Sequence, residues 1–110
     1  MKLYLDTSQP KTIMKLDNKS YVWESGRDLA KHLHKFIHDK LIENGKDWRD
    51  IEEITFMSGH GSFTGLRIGA TVVNTLADQL KVPLYNHRGE KVELILPEYG
   101  RLANITPPRK

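Results

Sequence analysis

Cysteine is absent from the 110 residues, which excludes disulfide staples, thiol nucleophiles and thiolate metal sites. No apolar run approaches the about 20 residues that a membrane-spanning helix needs. The opening Met1–Asp6 has no apolar stretch of the signal-peptide kind, so a cytoplasmic chain is expected. No Gly-Lys-Ser or Gly-Lys-Thr closes a P-loop, and no Gly-x-Ser-x-Gly frames a hydrolase serine. Charge of one sign is scarce too. The net charge is +3, and residues 1–80 balance 11 Lys/Arg against 11 Asp/Glu. The excess lies in residues 81–110, with six basic and three acidic side chains. Such a segment suits a phosphate backbone or an acidic partner, but an excess this small is more often plain solubility. What remains is ordinary for a soluble globular protein, 38% apolar and 28% charged. The length suits one domain with a sheet and two or three helices, and is short for an enzyme built around a cleft between two lobes.

The chain begins with strand-like alternation. Leu3 and Leu5 alternate with Tyr4 and Asp6 over Lys2–Thr7, Thr12–Leu16 follows a turn at Ser8–Lys11, and Asp17–Ser20 is a hairpin turn into Tyr21–Glu24. Closely spaced strands with tight turns predict an antiparallel meander. The period then lengthens. From Gly26 to Asn44, Leu29, Ala30, Leu33, Phe36, Ile37 and Leu41 fill one arc of about 140°. Ser25 is placed to cap this helix and Asn44-Gly45 to end it. Ile54–Ser58 reads as a fourth strand, a helix from Ser62 or Phe63 to Leu80 follows, and Val82–Asn86 reads as a fifth strand. Lys91–Leu96 alternates as a further strand would. The predicted element order is β-β-β-α-β-α-β over residues 1–96, an α/β chain, with an extended or disordered basic tail over 97–110.

Between the fourth strand and the second helix stands GHGSFTGLRIG, residues 59–69. A strand feeding a glycine turn that opens a helix can present free N–H groups to an anion. The same geometry serves equally to pack a helix close to a sheet. Apolar and small residues cover about 200° of the helix that follows, nearly twice the arc of an ordinary surface helix. One part can cover the sheet and the rest needs another cover, either the first helix or a partner chain.

The element order resembles one lobe of the actin, sugar-kinase and Hsp70 superfamily, and that resemblance implies a five-stranded mixed sheet of the ribonuclease H-like kind, covered by helices. The signature Gly59, Gly61, Ser62, Phe63, Thr64, Gly65, Leu66, Arg67, Ile68 and Gly69 resembles the GPGSFTGLRIG signature of the TsaB (YeaZ) family, with His60 standing where that family has proline. Leu5–Ser8, Leu41–Gly45, Asp50–Ser58 and Asn74–Pro83 are similar to the corresponding family segments. Pro97-Glu98-Tyr99-Gly100-Arg101 is similar to the family's ending, while most of a second lobe has no counterpart.

The resemblance implies a non-catalytic subunit that binds a TsaD homologue, alongside a TsaE-type ATPase, in forming threonylcarbamoyladenosine in tRNA. It would touch tRNA indirectly, need no cofactor or membrane, and pair with itself when TsaD is absent. The implied interface is a helix bundle, with Leu33, Phe36 and Ile37 from the first helix and Gly65, Gly69, Val72 and Leu76 from the second. On that assignment Gly69→Leu should weaken the complex and leave the fold intact. Asp6, Thr7 and Ser8 correspond to the superfamily's phosphate- and metal-contacting turn, and equally read as a polar strand end bonded to its own turn. A degraded nucleotide-binding lobe and a tRNA-contacting module are the alternative functions. His34 and His38 are spaced as a metal pair, but they and His32 read better as a solvated helix face. Ser62 has no evident base. Trp23 and Trp48 read as packing groups.

Overall fold

The structure, a computed structural model, describes residues 1–59, 61 and 63–96. Strands β1 (Lys2–Asp6), β2 (Thr12–Leu16) and β3 (Lys19–Trp23) form the expected meander. Only Asp17 and Asn18 lie between β2 and β3. Asp17 takes the left-handed conformation, φ 54°, and its carboxylate accepts the Lys2 N–H at 2.9 Å. The tight loop lets β3 start two residues earlier than the alternation suggests.

Helix α1 spans Leu29–Glu43, after a 3-10 turn at Gly26–Asp28. Strand β4 is Glu53–Phe56, α2 is Phe63–Leu80, and β5 is Leu84–Tyr85. A short β6, Lys91–Val92, pairs antiparallel with β5. The sheet therefore has six strands rather than five, in the order β3-β2-β1-β4-β5-β6. The additional strand comes from the Asn86–Glu90 turn, which folds the chain back on β5 through Asn86 N–H to the Glu90 carbonyl at 3.0 Å. The sheet is mixed, since β1–β4 and β4–β5 are parallel and the other pairs antiparallel.

Leu3, Leu5, Met14, Leu16, Ile54, Phe56 and Leu84 project from one face into a single core. Leu29, Leu33, Ile37 and Leu41 of α1 recur every fourth residue and meet them as one stripe. Gly65, Leu66, Gly69, Ala70, Val73, Leu76 and Ala77 do the same for α2. Both helices thus cover the same face. The opposite face carries Tyr4, Ile13, Lys15, Val22, Thr55 and Tyr85, all half-buried or exposed.

Ser25 does not cap α1. Its hydroxyl bonds the Thr12 hydroxyl at 2.8 Å and the Pro10 carbonyl at 3.2 Å, tying the start of the helical segment to β2. Both helices end as the Schellman pattern requires, with Gly45 and Lys81 in left-handed conformations and the next amide bonded back to Leu41 and Ala77. Among the described residues no helix is long and apolar enough to cross a membrane. The basic tail and the family-like ending lie outside the described residues, as do His60 and Ser62.

Candidate functional site

The glycine turn meets the end of β1. A Cβ built on Gly61 would lie 2.4 Å from the Ser8 Cβ and 2.7 Å from the Ser8 carbonyl oxygen, so only glycine fits that crossing. A Cβ on Gly69 would lie 2.2 Å from Thr7 Oγ1 and 2.5 Å from the Phe56 ring. The buried Thr7 hydroxyl donates to the Gly65 carbonyl at 2.7 Å. The signature is therefore the device that lets α2 lie directly on β1 and β4. Thr64, Arg67 and Phe63 of the same signature face outward, with the Arg67 guanidinium 5.8 Å from the Phe63 ring centroid.

Asp6, Thr7 and Ser8 are committed to this junction. Asp6 Oδ1 accepts from the Ser8 amide at 2.9 Å and from the Ser8 hydroxyl at 2.6 Å, the self-bonded turn that was one of the two expectations for these residues. Beside them lies a cleft of about 370 Å³, lined by Thr7, Gln9, Arg27, Thr64, Gly65 and Ile68 among others.

The seven residues expected at a partner interface divide. Leu33 and Ile37 are 0% exposed, Leu76 is 6% exposed, and Gly65 and Gly69 are buried on the sheet-facing side of α2. These five belong to the chain's own core, which corrects their assignment to a partner surface. The periodicity located an apolar arc without saying which part of it meets the sheet. Phe36 is half-buried and stacks on Trp23 with centroids 4.9 Å apart, at the β3 edge. Val72 is half-buried and borders the outward surface of α2. At about 100° per residue, Thr64, Ile68, Val72, Thr75 and Gln79 form an uncharged arc flanking the α2 core stripe, while Arg67, Thr71 and Asp78 point directly away from it.

The helix histidines are not simply solvated. His34 and His38 both contact the Trp48 ring, with centroids 4.9 and 5.4 Å away, and His38 Nε2 lies 4.0 Å from Asp47 Oδ1. Among the described residues no group of three or more His, Asp or Glu side chains could hold a metal ion.

One polar pair escaped sequence reasoning altogether. Ser58, two residues beyond the end of β4, is 3% exposed, and its hydroxyl lies 2.9 Å from Nδ1 of His87, beyond β5. The two are 29 residues apart, and only the parallel β4–β5 pairing brings them together. The His87 ring also covers Gly59, where a Cβ would stand 3.4 Å from the ring.

The architecture is an α/β lobe of the actin and Hsp70 type, with its helix-seating glycine turn at the junction of β4, α2 and β1. The profile of the family described as "TsaD: tRNA N6-adenosine threonylcarbamoyltransferase" matches residues 23–87, more than half of the chain. YeaZ from Pseudomonas aeruginosa superposes with a TM-score of 0.68 at 31% identity, over 77% of this chain and 42% of that one. A second crystal structure, of an uncharacterized protein with similarity to peptidase YEAZ from the same organism, gives 0.64 at 30%, over 77% and 41%. The tRNA threonylcarbamoyladenosine biosynthesis protein TsaB of Buchnera aphidicola is 28% identical over 53 residues, 48% of this chain and 24% of that protein. The chain therefore belongs to the family that this profile describes and is a member of the TsaB (YeaZ) family, and it spans less than half the length of these relatives.

Proposed function

We propose that the chain is a non-catalytic subunit in the cytoplasmic machinery that makes threonylcarbamoyladenosine in tRNA. In this reading it docks on a TsaD homologue through the outward surface of α1 and α2, with a TsaE-type ATPase as a further partner. Family membership supports the pathway. The observation that carries the docking surface is the uncharged arc of Thr64, Ile68, Val72, Thr75 and Gln79 on a helix already fixed to the sheet by its glycines. A face of small and apolar groups with no charge to desolvate suits a second helix pair.

The test is co-purification with the TsaD homologue of the same cell, followed by mass determination. A stable heteromer is expected. Thr75→Glu, which plants a charge in the arc at an exposed position, should weaken that complex about 10-fold or more while the thermal melt of the isolated chain is kept. A mass corresponding to two copies of this chain would assign the arc to self-association. Failure of the chain to associate with TsaD, with or without the ATPase, would overturn the reading.

A further inference from the structure

We propose that Ser58 and His87 form a nucleophilic pair that accepts acyl groups from small activated esters, an activity separate from the docking role. Three observations converge on one spot. The Ser58 hydroxyl and His87 Nδ1 lie 2.9 Å apart, the distance at which an imidazole takes a hydroxyl proton. Both line a cavity of about 200 Å³ whose other walls are Asn86, Val92, Leu94, Ile95 and Leu96, a polar end and an aliphatic end in a space sized for a short acyl chain. Leu94 is 54% and Leu96 75% exposed, so two aliphatic side chains stand at the open rim of the cavity.

The pair is held rigidly. Ser58 lies two residues beyond the end of β4, a central strand, and leads into the turn that opens α2. His87 sits in a turn whose Asn86 side chain accepts the amides of Arg88 at 2.9 Å and Glu90 at 3.0 Å and donates to the Glu90 carboxylate at 3.0 Å. Asn74 of α2 fixes the pocket's far wall, with its amide bonded to both the carbonyl and the N–H of Ile95. Such support fixes reactive geometry better than a mobile loop does.

The step balances without an added reagent. With the imidazole proton on Nε2, Nδ1 accepts the Ser58 proton as Oγ bonds the ester carbonyl carbon. The bond from that carbon to the leaving oxygen then breaks, and the imidazolium returns the proton to the departing alcohol.

The probe is p-nitrophenyl acetate on the intact, isolated chain, read as p-nitrophenolate release and by peptide mass mapping of the acetyl group. The expected result is one acetyl group per chain on Ser58, lost in Ser58→Ala. Its rate of formation should fall at least about 100-fold in His87→Gln, the lower range for removal of a general base. If either variant fails to fold, mapping of the unmodified sequence decides alone. Acetyl groups confined to lysines or to His87, or release unchanged in Ser58→Ala, would overturn the proposal. The assay needs no partner chain, so its failure and failure of TsaD docking are separate results.

Discussion

At Gly69 a methyl group has no space. Thr7 Oγ1 and the Phe56 ring both stand closer than any real Cβ contact. Gly69→Ala should therefore destabilise the fold by about 1–3 kcal/mol or more, as overpacking of a closed core does, measured by urea denaturation. Gly69→Leu should fail to fold rather than act selectively on a complex. The glycines were legible in the sequence as a turn. Their partners were not, because Ser8, Thr7 and Phe56 reach them only through the β1–β4 pairing. Lys81 is the converse case. Its φ of 59° is a conformation that glycine adopts without strain, so Lys81→Gly should raise stability by roughly 0.5–1 kcal/mol. Tyr4, on the uncovered face, has its phenol held above the usual value, first by burial and then by the nearby Asp6 carboxylate. The unfolded chain therefore loses this proton at lower pH than the folded one. Stability should be whole below the ordinary phenol range and decline as pH rises from that value through the folded one. Tyr4→Phe should flatten this alkaline limb in pH-dependent melts.

Among the elements, the helices were the most legible and their working faces the least. The spacing of Leu29, Leu33, Ile37 and Leu41 announces α1, yet its start shifts from Gly26 to Leu29 because Ser25 bonds to β2 instead of capping. Hydrophobic periodicity gives an arc, and an arc shared between a sheet, a neighbouring helix and a partner has no internal boundary in one dimension. The segment 93–96 was legible only as alternation. Its attachment is the Asn74 side chain, 3.2 Å to the Ile95 carbonyl and 2.7 Å from the Ile95 amide. Asn74→Ala leaves both Ile95 groups without this partner and should cost about 1–3 kcal/mol of local stability. Hydrogen exchange at the Ile95 amide should accelerate well before the amides of β1 and β4 do.

For the whole molecule, the order of elements along the chain and the antiparallel meander followed from the sequence, and the mixed sheet from the family resemblance, since a meander followed by two helix-linked strands leaves few topologies. The alternation of Lys91–Leu96 offered a further strand, of which Lys91–Val92 pairs, but the Ser58–His87 contact was not legible, because it depends on a turn that folds late in the chain onto earlier strands. The sheet also dictates a sequence of events during synthesis. Strand β1 lies between β2 and β4, and its register with β4 pairs Leu3 with Ile54 and Leu5 with Phe56. Until residue 56 clears the ribosome, the nascent meander presents a bare inner edge of alternating leucines, the kind of template that recruits other chains. The half-made protein is thus most vulnerable along the very strand that the finished one buries at its centre.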